Sequence, residues 1–560
     1  MTIRACLEKF ARETPAAVAL EYCQAREWRL RSWSEFLSGV RAVAESYGVA
    51  FGLRPREENV AQILPNGPDW MEAYLACSGA GVSVVPVDPK LHDEEVAYIL
   101  RDSGAAVVTT DRAHLQMMAA LAPGLPDLRA VVIVDGDGAA FTPLGTVPVH
   151  DYGALRASGA ARLASGGSAW YDAHVARPED VASVIYTSGT TGRPKGAMLT
   201  HGNFIADIEG ALGAFGEPVT QADSLFVVLP LFHAFSFCTN FVLGLYRGVT
   251  MKFNRSLYTV GEDVRLLRPT IVMSVPLLAE KMYDKIDAQL RTSRAARILP
   301  KLGLGFLVRR RVLRGLGGRL RFMIVGGAPC PRHVLEGYKR LGIHVLEGYG
   351  LTECSPVVSI AGPRTAKIGT IGVRLSNIEV RLAEANEQGV GELQIRGPIT
   401  MKGYWRNDAA TREAFDGEWL KTGDLASIDA DGLLSIRGRR KALIVNREGK
   451  NIYPEEVENR IGGDPFVSDC VVVGYTTGGI PGERVGCVVH PDVDLLKAEN
   501  GGAEPSWSEI EKLAVARVHA RCQDLADYKR VRKVVVLKTP LERTSIQKVR
   551  RVAYKGTLDE

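Results

Sequence analysis

The segment Tyr186 to Asn203, YTSGTTGRPKGAMLTHGN, gathers glycines and short hydroxyl side chains directly after an apolar run. Gly189, Gly192 and Gly196 remove side-chain bulk, so a backbone here can come close to phosphate oxygens, while Thr187, Ser188, Thr190 and Thr191 offer hydroxyl donors. Lys195 adds a cation. The string lacks the GxxxxGK[ST] spacing, so kinase or motor ATPase chemistry does not follow from it. What it is suited to hold is anionic oxygen.

Such a loop needs a strand before it and a scaffold around it. The apolar runs AAVVTT (Ala105 to Thr110), AVVIVD (Ala130 to Asp135), SVIYTS (Ser183 to Ser188), TIVMSVP (Thr270 to Pro276) and RFMIVGG (Arg321 to Gly327) alternate with longer helical patterns. That alternation predicts an α/β fold of parallel sheets covered by helices. From about Gly369 shorter strands with glycine turns predict a small β-rich subdomain. After Gly438 another shift predicts a separate small α/β domain, with a strand at CVVVGY (Cys470 to Tyr475), a helix around Trp507 to Leu525 and a strand in VRKVVVL (Val531 to Leu537). The expected division is 1–437, a hinge at 438–441, and 442–560.

Composition narrows the class further. A chain of 560 residues exceeds what one core usually serves. Its 69 Lys and Arg against 64 Asp and Glu leave +5, too slight over this length to make nucleic acid the partner. The nine cysteines form no CxxC pair, and with no cleavable signal at the start they read as reduced thiols of a cytoplasmic protein. The stretch Ser224 to Tyr246 has no charged residue and the length of a bilayer span. Pro230, His233, Thr239 and Asn240 interrupt it, so a buried strand, a turn at LFHAF and a buried helix through Leu245 are expected instead.

The glycine and hydroxyl loop resembles the phosphate loop of the adenylate-forming superfamily, which includes acyl-CoA synthetases, firefly luciferase and nonribosomal peptide adenylation domains. Further segments similar to that family follow in its order: LPLFHAFSF (Leu229 to Phe237), GGAP (Gly326 to Pro329), EGYGLTE (Glu347 to Glu353), GEWLKTGDLA (Gly417 to Ala426), GRRKALIV (Gly438 to Val445), GKNIYPEEVE (Gly449 to Glu458) and LERTSIQKVRR (Leu541 to Arg551). The branch most resembled is that of bacterial long-chain fatty acid–CoA ligases.

The resemblance implies an ATP-dependent enzyme that converts a carboxylic acid to an acyl adenylate and passes the acyl group to a thiol, with ATP, Mg²⁺ and coenzyme A required. It implies that Thr187 and Glu353 help hold Mg²⁺, that Thr352 contacts the α-phosphate, and that Tyr349, within Glu347, Gly348, Tyr349 and Gly350, lies against adenine. Gly327 and Ala328 would line the nucleotide and acyl pocket, and Asp424, assisted by Arg439, would take the ribose hydroxyls. Lys548 is the implied adenylation lysine, although Glu542 and Gln547 stand where the family more often has proline and glycine. Lys441 would mark the pivot of a small mobile domain, and Gly449 would border the thiol tunnel. Taken alone, Glu353 reads as a solvated carboxylate and Asp424 as a turn residue.

In peptide-synthetase relatives an aspartate near the start of the LPLFHAFSF equivalent anchors an ammonium group. Here His233 stands among Phe232, Phe235 and Phe237, which disfavours an amino acid and favours an apolar acid, with His233 either a gate for the carboxylate or a core histidine with a satisfied hydrogen bond. A medium- or long-chain fatty acid is the expected substrate. An acyl-AMP ligase serving an acyl carrier protein, an aryl-CoA ligase and a non-catalytic acyl-nucleotide-binding relative are the alternatives. Between Asp287 and Glu336 no acidic residue occurs, yet Arg291, Arg294, Arg297, Lys301, Arg309, Arg310, Arg311, Arg314, Arg319, Arg321 and Arg332 do. That stretch is either a solvated basic face or a candidate for contact with an anionic membrane surface at the inner face, with the phosphates of CoA, or with an acidic carrier protein.

Overall fold

The computed structural model describes residues 1–166, 169–187, 193–293, 298, 304–448, 450–477, 482–499, 505–543 and 549–559. Among them the short apolar runs form strands at Ala105–Thr110, Ala130–Ile133, Val181–Thr187, Ile271–Ser274 and Phe322–Val325. All five are buried along most or all of their length, which explains why they show no inside–outside alternation.

Two large sheets carry the site. One orders Val149–Asp151, Ala130–Ile133, Ala105–Thr110, Asn59–Ile63, Ser83–Pro86, Val181–Thr187 and Lys195–Thr200. Its neighbours are parallel until the last pair, an antiparallel hairpin. The other runs from Val373–Arg374 through Val357–Ile360, His344–Gly350, Phe322–Val325, Ile271–Ser274, Ser224–Val227, Thr250–Phe253 and Val18–Gln24 to Glu27–Ser32, parallel in the middle and antiparallel at both ends.

Aromatic side chains close the joint between these sheets. Trp70 and Tyr74, on the helix Pro68–Ser78, stack with centroids 5.4 Å apart, and Tyr74 and Phe204 each meet Phe237 at 4.8 Å. Each such pair contributes about 0.5–1.5 kcal/mol beyond the area it buries. The Tyr74 hydroxyl also shares a 2.8 Å hydrogen bond with the Ser183 hydroxyl, on the strand that leads into the glycine loop.

The uncharged stretch from Ser224 is not a span. It folds as the strand Ser224–Val227, a loop, a π-helical turn Phe237–Val242 and a short helix Leu243–Arg247, largely within the core. Among the described residues no helix is long and apolar enough to cross a membrane.

A third sheet pairs Glu379–Ala383, Gly391–Arg396 and Trp419–Ile428, with Phe415–Asp416 and Leu434–Arg439 both joined to Trp419–Ile428. Beyond it, the strands Val467–Tyr475, Arg484–Pro491 and Lys533–Val536 and the helices Pro454–Ile461 and Trp507–Arg521 bury a core of their own around Val457, Phe466, Val472 and Val518. The last helix stops short of Leu525, the limit its sequence suggests, because the Arg530 guanidinium donates to the carbonyls of Gln523 and Leu525.

Candidate active site

Antiparallel pairing sets Asp424 opposite Arg439. The Arg439 Nε lies 2.7 Å from one carboxylate oxygen of Asp424, and the Tyr349 hydroxyl donates to the other at 2.5 Å. The Thr422 hydroxyl accepts the Asp424 backbone N–H at 3.0 Å and donates to the Leu393 carbonyl at 2.7 Å. Gly423 between them has φ +70°, a left-handed conformation that explains the glycine of the TGD triplet. Burial and the adjacent Asp424 carboxylate push the Tyr349 phenol well above its ordinary range, so it remains a donor. A carboxylate held by a guanidinium and a phenol is aimed and ready to accept the hydroxyls of a sugar.

Tyr349 stands on the strand His344–Gly350, where Glu347 is the parallel neighbour of Val325. Gly326, Gly327 and Ala328 therefore leave the carboxyl end of their strand beside Glu347 and Gly348, the edge where parallel sheets place ligands. Gly327 has φ +86°. A Cβ at Gly350 would sit 1.7 Å from the Pro356 carbonyl oxygen, so no other residue fits there. Glu347 accepts the Cys330 backbone N–H at 3.4 Å, and burial raises its carboxyl to about 7.

Thr352 and Glu353 follow in a short 3-10 turn. The Glu353 carboxylate accepts the Tyr404 hydroxyl at 2.8 Å, and the Lys195 ammonium lies 5.3 Å above the same phenol ring. Backbone hydrogen bonds explain the meeting: Trp405 N–H to the Gly196 carbonyl at 2.7 Å, Met198 N–H to the Gly403 carbonyl at 2.9 Å, and Met401 N–H to the Glu353 carbonyl at 2.9 Å. The segment Met401 to Trp405 thus ties the foot of the glycine loop, where Thr187 pairs with Lys195, to the Glu353 turn. Tyr404 was not foreseen. Its only sequence signal is the string MKGYW between two strands.

Among the described residues no group of three or more His, Cys, Asp or Glu side chains is arranged to hold a metal. Glu353 and the Thr187 hydroxyl nevertheless fit Mg²⁺ that arrives with a nucleotide, because this ion keeps several waters and takes one or two carboxylates together with phosphate oxygens.

The other end of the cleft is built differently. Asn66 straps the LPLFHAF segment, donating to the Leu229 carbonyl and accepting the Leu231 N–H, both at 2.8 Å. His233 packs its ring 4.6 Å from Phe232, and its Nε2 is buried with no hydrogen-bond partner. Burial lowers its pKa to about 4 against the opposing pull of Asp88, so the imidazole is neutral at pH 7. Asp88 takes the Lys90 N–H on one oxygen, while its Oδ2 is likewise buried and unpartnered. Phe235 lies against Gly326, where a Cβ would stand 3.1 Å from its ring.

The structure thus brings Tyr349, Asp424 and Arg439 into one polar chain and Glu353, Tyr404, Lys195 and Thr187 into another, with Gly327, Ala328, Glu347, Gly348, Gly350 and Thr352 on the neighbouring strand ends and turns. Lys441 is exposed in the turn Arg440–Ala442, its carbonyl 3.4 Å from the Lys555 ammonium. Ser188, Gly189, Thr190, Thr191, Gly192, Gly449 and Lys548 lie outside the described residues.

The sequence pattern described as "AMP-binding enzyme" matches residues 7–405. The chain belongs to that family. Among curated proteins, a long-chain-fatty-acid–CoA ligase of Mycobacterium bovis is 33% identical over 434 residues, which cover 72% of this chain and 69% of that protein. A feruloyl-CoA synthase of an Amycolatopsis species is 33% identical over 434 residues, 76% of this chain and 77% of its own. Of solved structures, an anthranilate CoA ligase in complex with anthranoyl-AMP superposes with a TM-score of 0.77 at 20% identity, covering 100% of this chain and 97% of that one. The o-succinylbenzoate coenzyme A synthetase of Bacillus subtilis, in complex with ATP and magnesium ion, gives 0.75 at 24% identity, covering 98% and 99%. These two likenesses show the fold, and the fold is the one expected of an AMP-binding enzyme.

Proposed function

We propose that this AMP-binding enzyme is an acid–thiol ligase that activates a long-chain fatty acid with ATP and transfers it to coenzyme A. The observation that carries the reading is the Tyr349–Asp424–Arg439 grip, a carboxylate held by a phenol and a guanidinium beside the carboxyl edge of the parallel sheet. The neutral His233 among phenylalanines supports an apolar acid, and the Mycobacterium bovis relative is named for a long-chain one.

In the first step an oxygen of the acid attacks the α-phosphorus of ATP, and the bond to pyrophosphate breaks. Asp424 accepts the ribose hydroxyls, Tyr349 lies beside adenine, Thr352 donates to the α-phosphate, and the loop Thr187 to Lys195 cradles the leaving phosphates. Mg²⁺, held by Glu353 and Thr187, supplies neutralising charge when bound. The Lys548 ammonium meets the acid and α-phosphate oxygens and screens their repulsion. In the second step the sulfur of CoA attacks the acyl carbon and AMP leaves. Residues 442–560 turn about the pivot at 438–441 between the steps, withdrawing Lys548.

The helix Gly305–Gly315 supports a further part of this reading, contact with an anionic membrane surface. Phe306 is 60% exposed and Arg310, Arg311 and Arg314 are exposed beside it, so an apolar side chain and cations face water together. Arg294, Arg297 and Lys301 lie outside the described residues.

Pyrophosphate release measured with octanoate, dodecanoate, palmitate, ferulate and benzoate tests the acid, and thioester formation with CoA or an acyl carrier protein tests the acceptor. Release greatest with palmitate or dodecanoate and thioester on CoA is expected; release with ferulate alone, or transfer to the carrier protein alone, overturns the respective half. Vesicle co-sedimentation tests the helix: the protein should pellet with phosphatidylglycerol vesicles and remain in solution once Arg310, Arg311 and Arg314 become glutamate.

A further inference from the structure

The tail of the glycine-loop motif, His201 to Asn203, supplies none of the groups in the two polar chains, yet it opens the helix His201–Phe215. Asn203 closes the first turn of that helix: its Oδ1 accepts the Thr200 N–H at 2.9 Å, and its own N–H donates to the Thr200 hydroxyl at 3.0 Å. Such a capping box uses only the oxygen of the amide. The Asn203 Nδ2 donates elsewhere, to the Pro398 carbonyl at 2.7 Å and the Thr400 carbonyl at 3.1 Å. The carbonyl between them, that of Ile399, takes the Ser355 hydroxyl at 2.7 Å. Three successive carbonyls are thus engaged by two side chains, and the next backbone group, Met401 N–H, donates to the Glu353 carbonyl at 2.9 Å.

Asp207 stands four positions after Asn203, on the same helix face. It is fully buried; its Oδ2 accepts the Val357 N–H at 3.0 Å and its Oδ1 the Cys238 thiol at 3.1 Å. Val357 begins the strand that leaves the Glu353 turn. Ser355, between Glu353 and that strand, has φ +69°, a left-handed conformation that a residue other than glycine keeps only where its neighbours fix it. One helix therefore grips the Glu353 turn from two directions, through residues 398–401 to the Glu353 carbonyl and through Val357 to the chain that follows. The segment held by Asn203 continues into Tyr404, whose hydroxyl meets the Glu353 carboxylate.

We propose that Asn203 is a positioning residue for Glu353: its amide, with the Asp207 side chain one turn further on, fixes the turn from which Glu353 presents its carboxylate to Mg²⁺. This rests on the reading of Glu353 as a Mg²⁺ residue. A residue that merely capped the helix would affect melting and leave the ion alone.

Calorimetry with α,β-methylene-ATP, which binds but cannot release pyrophosphate, separates these cases. The quantity read is the gain in nucleotide affinity when Mg²⁺ replaces EDTA. Asn203→Ala should cut that gain by about fivefold or more while leaving the affinity in EDTA within about twofold. Asn203→Asp, which restores an acceptor for the Thr200 N–H but sets an oxygen against the Pro398 and Thr400 carbonyls, should recover the melting temperature and not the Mg²⁺ gain. If neither variant folds, Asp207→Ala should show the same split, with Asp207→Asn, which keeps an acceptor for the Val357 N–H, recovering most of it. Adding Asn203→Ala to Glu353→Gln should cost no more of the gain than Glu353→Gln alone, because the one acts through the other. An unchanged gain, equal losses with and without Mg²⁺, full recovery by Asn203→Asp, or multiplied losses in the double variant overturn the proposal when Glu353→Gln itself loses the gain. A Glu353→Gln variant that keeps it overturns the reading of that carboxylate, and this inference with it.

Discussion

The two ends of the cleft treat their polar groups in opposite ways. At the nucleotide end each polar group is already engaged: Asp424 by Arg439 and Tyr349, Glu353 by Tyr404. At the acyl end His233 Nε2 and Asp88 Oδ2 are buried and have no partner. A partnered carboxylate is held in one orientation and can exchange a hydrogen bond for a ligand's at little cost, whereas an unpartnered buried atom costs about 1–3 kcal/mol until something satisfies it. Under the proposed function the nucleotide end is therefore a preformed receptor, and the acyl end gains most from its ligand.

The sharpest way to break this contrast is Asp424→Ala, which leaves Arg439 and Tyr349 facing an empty position. ATP affinity by calorimetry should fall roughly 30- to 100-fold, from the loss of charge-assisted hydrogen bonds; an unchanged affinity would remove Asp424 from the ribose site. Next in size is Glu353→Gln, expected to raise the Mg²⁺ concentration for half-maximal adenylation by about tenfold, with Tyr404→Phe shifting it several-fold in the same direction. Identical Mg²⁺ curves for Tyr404→Phe and the parent would show that the 2.8 Å hydrogen bond does not position the carboxylate.

At the acyl end the effects should be smaller and confined to the acid. Gly326→Ala pushes on the Phe235 ring and should raise KM for a long acid several-fold with KM for ATP unchanged; a matching rise for ATP would contradict the division of the cleft.

The smallest effects are linkage effects of opposite sign. Glu347 is raised by burial from 4.5 to about 7, so between those pH values the folded protein keeps a proton that the unfolded chain releases, and stability falls as pH rises. His233 is lowered from 6.5 to about 4, so the unfolded chain binds the extra proton, and stability is lost as pH falls through that window. Melting curves from pH 4 to 8 should show Glu347→Gln flattening the neutral-side decline and His233→Gln the acid-side one, each by about one or two degrees. Unaltered slopes would mean that the burial of these groups does not persist in solution.

Most of the scaffold was legible because buried parallel strands read as short runs without charged residues, rich in apolar side chains, as at Ala105–Thr110 and Phe322–Val325. The Asp424–Arg439 pair was also within reach, since both residues lie in recognisable strings on adjacent strands of one sheet. Tyr404 and Asn66 were not. Each acts through a side chain that meets its counterpart across a sheet boundary, as Asn66 does over 165 positions to Leu231, and no local periodicity encodes such a meeting. His201 is instructive in the other direction. It stands within the most conspicuous motif, yet its ring accepts the Ile3 N–H at 3.4 Å and bonds the Ser78 carbonyl at 3.1 Å, which makes it a core fastening.

The stacked rings of Trp70 and Tyr74, with Phe237 tilted against them, have a mechanical corollary. Sliding one large sheet along the other would shear apart dry aromatic faces that have no wet substitute, so the two layers behave as a fixed anvil. Under the proposed function, any squeeze on the reactants has to be delivered by the part of the chain that is not riveted there, and its travel, rather than any breathing of the anvil, would set the geometry of each blow.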